Sequence, residues 1–165
     1  MSGLEIGSRN TILSLDILDY LRTRGKGVTC IHNAELEDAE ISWIAINVPC
    51  RDILWTYHMI IPSPTTVQFS YGGVYTGGTA LSFNNKVLDN PSTLGITGVY
   101  DPAVTEEGTV YDSTKYGAAI NRLNRVGASF GAGWFQLKPN STFMQKVTSH
   151  SDNNNVVTRF TFIEV

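Results

Sequence analysis

The amino-acid sequence predicts an all-β fold, an antiparallel β-sandwich of the jelly-roll type. Glycine and proline divide the chain into many short segments, and these segments favour Val, Ile, Thr, Tyr and Phe. The chain has 165 residues, enough for one domain that buries its core without disulfides or a metal. An immunoglobulin-type sandwich is the alternative, but the sequence lacks the Cys–Trp–Cys spacing of that fold.

About nine segments have the composition and length of strands. Residues 40–48 carry apolar side chains on both faces, which is typical of a strand inside a sandwich. Residues 52–61 end before two prolines, which cannot lie in a central strand. The other strands are predicted at residues 67–71, 79–83, 95–100, 108–113, 133–137, 141–147 and 156–165.

An internal echo links two of these regions. Residues 71–83 and 97–113 both contain Val-Tyr, a gap, Gly-Thr and then an apolar residue. The echo predicts two related hairpins, although a motif this short also arises by chance.

Two segments fit more than one structure. Residues 10–21 have apolar side chains at both helical and strand spacings, and we predict an extended arm. The chain is therefore divided into residues 1–24, an N-terminal arm or first strand, and residues 25–165, the sandwich domain. Residues 115–127 fit either a short helix or a long polar loop, because four apolar side chains share one helical face: Tyr116, Ala119, Ile120 and Leu123.

The composition excludes several classes of function. The net charge is −3 and only 16% of residues are charged, so no basic surface for nucleic acid is expected. No apolar run is long enough to span a membrane, and the first residues lack the pattern of a signal peptide. Cys30 and Cys50 lack the spacing of a zinc site and are predicted to be reduced and partly buried, in a protein that folds in a cytosol.

No motif predicts catalysis, a cofactor or a metal. Residues 127–131 match G-x-S-x-G, but small residues lead from Ser129 into a strand, whereas a nucleophile elbow is followed by a helix. His32, His58 and His150 lie far apart, and we expect His58 on a strand and the other two near turns. Neighbouring Glu106 and Glu107 would point to opposite faces of a strand.

Exposed aromatic side chains would be able to stack on sugar rings. The candidates lie on strands among apolar neighbours, where the core is the more common location. They are Trp43, Trp55, Trp134, Tyr71 and Tyr75.

Residues 134–165 resemble the C-terminal region of decoration, or cement, proteins of tailed-bacteriophage capsids. That family typically has a strand that starts with Trp, a Leu-Lys-Pro-Asn turn, a second strand with an aromatic residue, an Asn-rich turn and a closing aromatic strand. The corresponding residues here are Trp134, Leu137, Lys138, Pro139, Asn140, Thr142 and Phe143. Pro-Asn is expected to form the turn, and Trp134 to pack against Phe143 across the hairpin. The resemblance extends more loosely over residues 52–133. The sequence departs from the family pattern after residue 81, and it departs again at the end of the final strand.

The resemblance implies a non-enzymatic jelly-roll protein, often a homotrimer, on the outside of a virion. It is made in the cytoplasm of the host bacterium, and its partner is the major capsid protein. Binding only to the assembled lattice stabilises that lattice by mass action. The predicted contacts with the capsid or a neighbouring subunit are in the arm: Ile12, Leu13, Leu15, Ile17, Leu18, Tyr20 and Leu21. The alternative is a carbohydrate-binding or host-adsorption module of a phage particle.

Overall fold

Two antiparallel sheets pack face to face in the computed structural model of the protein, which describes residues 22–85, 87, 92–116 and 135–165. This arrangement confirms the predicted β-sandwich. A short helical turn, Arg22–Lys26, comes before the first strand. The strands are β1 (Gly27–Leu36), β2 (Ile41–Asn47), β3 (Ile53–Ile60), β4 (Thr65–Tyr71), β5 (Val74–Thr76), β6 (Thr79–Ala80), β7 (Asn84–Asn85), β8 (Thr97–Tyr100), β9 (Ala103–Glu106), β10 (Thr109–Tyr116), β11 (Phe135–Leu137), β12 (Thr142–Ser149) and β13 (Asn154–Glu164).

The strands β1 to β4 alternate between the two sheets along the chain, and β11 to β13 do so again after β10. Sheet A has the order β11–β3–β13–β1–β7, and sheet B has the order β10–β4–β12–β2–β8–β6. The last two strands lie between earlier ones, with β13 between β3 and β1, and β12 between β4 and β2. The C-terminal strands β12 and β13 thus occupy interior positions in the two sheets.

The core lies between the sheets because alternate residues of each long strand are apolar and point inward. Trp55 of sheet A is only 2% exposed and lies 4.4 Å, ring centre to ring centre, from Phe143 of sheet B. It also packs edge-to-face on Phe69 at 5.5 Å. Phe160 of sheet A meets Phe143 edge-to-face at 5.9 Å. These aromatic pairs join the two sheets at the centre of the sandwich.

A folded ribbon, here called the strap, covers part of the outer face of sheet B. It consists of residues 72–78 and 101–108, which continue the pairing of β4 with β10 through β5–β9. At its far end the two segments continue into β6 and β8, which pair at the edge of sheet B. Met144 alternates with core residues and points outward, yet it is completely buried, and its sulfur lies against Gly73 of the strap in the space that a Cβ there would occupy.

Polar contacts hold the strap on the sheet. Ser70 Oγ donates to the Glu107 carbonyl at 2.6 Å, and Lys146 Nζ lies 2.6 Å from Glu107 Oε1. Asn47 Nδ2 donates to the Tyr75 hydroxyl at 2.7 Å. A substitution at Gly73 would force Met144 and two backbone carbonyls to move.

Most of the predicted strands are present within a few residues of their expected bounds. The prediction of two related hairpins from the internal echo is wrong, because the two segments pair with each other, Val74 with Glu106 and Thr79 with Tyr100. Strand β1 was not predicted at all, and it pairs with β13 along its whole length. His32 therefore lies within a strand, and its expected place near a turn is wrong.

Both predicted polar turns near the C-terminus are present, but the predicted hairpin is wrong: β11 and β13 belong to sheet A and β12 belongs to sheet B, so each turn connects the two sheets. Asn140 and Asn153 adopt left-handed backbone angles, φ 52° and φ 54°, which asparagine tolerates better than most residues. Ser141 Oγ donates to the Lys138 carbonyl at 2.5 Å and closes the first turn. Phe143 is buried as expected, but its predicted partner Trp134 lies outside the described residues.

Two further predictions fall mainly on residues that the structure does not describe. The arm is one, since description begins at residue 22. The helix or loop at 115–127 is the other, since β10 extends to Tyr116 and description resumes at Phe135.

Replacement of the central indole tests this description of the core. We expect Trp55→Ala to lower the free energy of unfolding by about 3 to 5 kcal/mol, because it removes a large side chain from a closely packed site. Phe135→Ala is the control, because that ring is 44% exposed on the paired strand, and it should cost about 1 kcal/mol or less. Urea titration measures both values. A loss below about 1 kcal/mol for Trp55→Ala would contradict the assigned core.

Candidate functional site

The two long sides of the sandwich, where the sheet edges face each other, each hold a cleft. The first, called the aromatic cleft, lies between β3–β11 of sheet A and β4–β10 of sheet B and has a volume of about 380 Å³. Its apolar lining consists of Trp55, Tyr71, Tyr111, Phe135, Leu137 and Phe143. A neighbouring hollow of about 240 Å³ shares three of these rings and extends to Tyr57 and Asp112.

The aromatic cleft is continuous with the core. Trp55 and Phe143 are buried and form its floor, whereas three exposed rings form its rim: Tyr71, Tyr111 and Phe135. Phe135 lies 5.7 Å from Trp55, and Tyr111 lies 6.5 Å from Phe143 and 6.3 Å from Tyr71, all between ring centres. The rim thus exposes aromatic rings to solvent, and these rings pack against the buried rings of the floor.

Local structure explains how these rings reach the rim. Tyr71 continues the inward-facing series of Val67 and Phe69, and Phe135 lies two residues before inward-facing Leu137. Tyr111 lies at the irregularity between Val110 and Asp112, where the register of β10 on β4 shifts. A β-bulge of this kind redirects a side chain.

Polar groups surround the aromatic rim. Gln136, Lys138 and Ser141 line one side of the cleft. Burial raises the pKa of Tyr57 to about 12, with further contributions from Tyr116 and Asp112, so this hydroxyl remains protonated at neutral pH. The cleft can bind apolar groups or ring faces and offers hydrogen bonds at its edge.

The second cleft, called the polar cleft, lies on the opposite side, between β1 of sheet A and β2–β8 of sheet B. Its volume is about 400 Å³. Glu35, Glu40 and Asp101 line it, and the lining contributed by the described ranges contains no lysine or arginine. Ser42 Oγ donates to Asp101 Oδ1 at 3.1 Å, and the Asp101 backbone amide donates to the Trp43 carbonyl at 2.8 Å.

His32 forms part of the wall of the polar cleft. Its ring lies 4.7 Å from that of Tyr100, and its Nε2 atom is buried with no hydrogen-bond partner in the described residues. Burial lowers the pKa of His32, an effect that the negative charge of Asp101 partly opposes. The imidazole is therefore held in its neutral form.

The polar residues that the sequence analysis considered lie in separate parts of the structure. The described residues contain no group of three or more His, Cys, Asp or Glu residues that could hold a metal ion. Glu107 pairs with Lys146 on the strap, His58 is exposed on β3 as expected, and His150 follows β12 at a turn. Ser129 and the predicted arm contacts, from Ile12 to Leu21, lie outside the described residues.

The two cysteines differ in environment. Both are free, but Cys30 is buried and Cys50 is exposed, so the prediction that both are partly buried is wrong. Burial raises the pKa of Cys30 to about 12, and its thiol remains protonated and unreactive.

The aromatic residues chosen from the sequence divide between core and surface. Trp55 is buried, Trp43 is half-buried beneath Lys146, and Tyr71 is exposed in the aromatic cleft. Sequence reasoning missed Tyr111 and Phe135, the two other rings of the rim. Neither had a distinguishing signal in the sequence, since Tyr111 owes its position to the irregularity in β10 and Phe135 is the first residue of β11.

Comparison with known proteins adds no family assignment. No protein-family model matches the chain, and no curated protein or solved structure matches it. Within the described ranges, no helix is long and apolar enough to cross a membrane.

Acidification tests the environment of His32. The unfolded chain has an ordinary histidine pKa near 6.5, and the folded pKa lies below it. The unfolded state therefore binds more protons as the pH falls below about 6.5, and stability decreases until the pH passes the folded pKa. We expect His32→Gln to lose less stability than the wild type between pH 7.5 and pH 5.

The control for this measurement is His58→Gln, because His58 is exposed on the outer face of β3. It should follow the wild-type pH dependence in urea titrations at the two pH values. Equal losses for the wild type and His32→Gln would show that burial of His32 does not contribute to acid sensitivity.

Proposed function

We propose that the protein is a non-enzymatic structural component of a viral particle, a decoration protein that attaches to the outside of an assembled capsid. Its partner is the lattice of the major capsid protein. The observation that carries the proposal is the aromatic cleft, in which exposed Tyr71, Tyr111 and Phe135 lie together on a buried aromatic base. Aromatic side chains in such packed positions are enriched at the centres of protein interfaces.

The rest of the described surface supports a binding role more than a catalytic one. The chain has few charges for its size, and an uncharged surface suits a large contact with protein. The Lys138–Ser141 turn, through which the sequence resembles decoration proteins, lies beside the aromatic cleft. The strand order also agrees with the jelly roll that the resemblance implies.

Two parts of the proposal rest on the resemblance alone. One is a homotrimeric state. The other is attachment by the arm, through the predicted contacts between Ile12 and Leu21. Every strand of the two sheets, as the structure describes them, begins at residue 27 or later. The hydrogen-bonded pairing of the described sandwich therefore does not involve the arm.

A second candidate function uses the same cleft. A concave site of about 380 Å³ with exposed rings and the polar groups of Gln136, Lys138 and Ser141 also suits the apolar face and hydroxyls of a sugar ring. Titration with soluble oligosaccharides, followed by NMR, separates the two candidates. Saturable shifts at Tyr111 and Phe135 would favour the carbohydrate-binding or host-adsorption module.

Co-sedimentation with capsids tests the main proposal. The wild-type protein should sediment with shells assembled from the major capsid protein of the same virus and should not bind the dispersed subunits. We expect Tyr111→Ser and Phe135→Ser each to weaken binding to shells about 30-fold, the effect of losing an aromatic residue worth about 2 kcal/mol at an interface centre. Both rings are about half exposed, so the variants should fold.

The matched control is Ile60→Ser. Ile60 is 44% exposed, as Phe135 is, but it lies at the far end of β3 on the outer face of sheet A. Thermal melts check that all three variants fold cooperatively. Equal binding of the wild type and both cleft variants would exclude the aromatic cleft as the attachment surface, and no binding of the wild type to shells would reject the function itself.

A further inference from the structure

Strand β1 has a free edge on the side of the polar cleft. Val28 and Thr29 pair with the short strand β7, whereas Cys30–Leu36 pair only with β13 in the described part of the chain. Sheet A loses its edge strand at this point because Leu81–Phe83 carry the chain across from β6 of sheet B to β7. A free edge of this kind exposes backbone donors and acceptors that can pair with another strand.

The cleft beside this edge is negatively charged. Glu35, Glu40 and Asp101 are exposed carboxylates in its lining, and none of the described residues that line it is a lysine or arginine. Neutral His32 adds no positive charge there. A cleft lined by charges of one sign raises the local concentration of the opposite charge, and here it favours cations.

The two features fit one kind of occupant. We infer that the free edge of β1 and the polar cleft together bind an extended, basic segment of a partner protein. Its backbone pairs with Cys30–Leu36 and adds a strand to sheet A, as in other cases of strand addition. Its arginine or lysine side chains point into the cleft towards Glu40 and Asp101.

The alternation of side chains in a strand defines the segment further. In the bound segment, the residues that face the cleft are basic. The residues between them lie on the outer face of sheet A, beside Ile31, which is 53% exposed. The preferred sequence therefore alternates basic and apolar residues. This inference is independent of the proposed function, because it concerns the opposite side of the sandwich from the aromatic cleft.

The test uses blocked nine-residue peptides and the full-length protein. The probe alternates Arg with Val. One control peptide has Glu in place of Arg, and another carries N-methyl groups on alternate backbone nitrogens, which removes the donors needed for strand pairing. Binding is followed by calorimetry and by backbone NMR shifts. We expect the Arg–Val peptide to bind with shifts at Ile31–Glu35 and both control peptides to bind at least tenfold more weakly.

Variants of the protein test the same site. Asp101→Asn and Glu40→Gln should each weaken binding of the Arg–Val peptide about three- to fivefold, the effect of losing one exposed charge pair. Asp101→Asn retains an oxygen to accept the Ser42 hydrogen bond. The control is Glu106→Gln, an exposed carboxylate on the strap, and it should bind as the wild type does.

Three results would overturn the inference. They are equal binding of the Arg and Glu peptides, shifts confined to strands other than β1, and no binding of the Arg–Val peptide at millimolar concentration.

Discussion

Aromatic packing between the two sheets is the interaction on which the rest of this structure depends. Trp55 of sheet A contacts Phe69 and Phe143 of sheet B, and the three rings come from strands that are distant in the chain. Each side chain buries a large apolar area, which contributes strongly to the attraction between the sheets. The aromatic cleft is the outer end of the same cluster, so its rim rests on a rigid base.

The strap adds a second constraint that the sandwich alone does not require. It extends the β4–β10 ribbon over sheet B, covers Met144 and is held by Asn47, Ser70 and Lys146. Its presence leaves the two long sides of the sandwich as the places where inward-facing side chains reach solvent. One side is aromatic and the other is acidic, so the two clefts suit partners of different chemistry.

The sequence predicts the strands whose composition is strongly β-forming, because Val, Ile, Thr and aromatic residues suit a half-buried pleated surface. Strand β1 contains Cys30, His32, Asn33 and Glu35, so its local composition gives little signal. It becomes a strand because it pairs with β13 along its whole length, a tertiary effect. The echo between residues 71–83 and 97–113 was visible, but sequence alone does not state which segments pair. Tyr71 was a candidate from the sequence, but Phe135 was missed for a similar reason, since it follows the same inward alternation as buried Leu137 and differs only in lying at the start of its strand.

Hydrogen–deuterium exchange of the free protein and of the protein bound to assembled capsid shells tests the central claim most directly. That claim is that the sandwich attaches through the aromatic side, where β10 and β11 form the edges of the two sheets. The account predicts slower exchange on binding in β10, in β11 and in the turn at residues 138–141, with no change in the strap strands β5 and β9. Slower exchange confined to the strap, or unchanged exchange in β10 and β11 of the shell-bound protein, would contradict it.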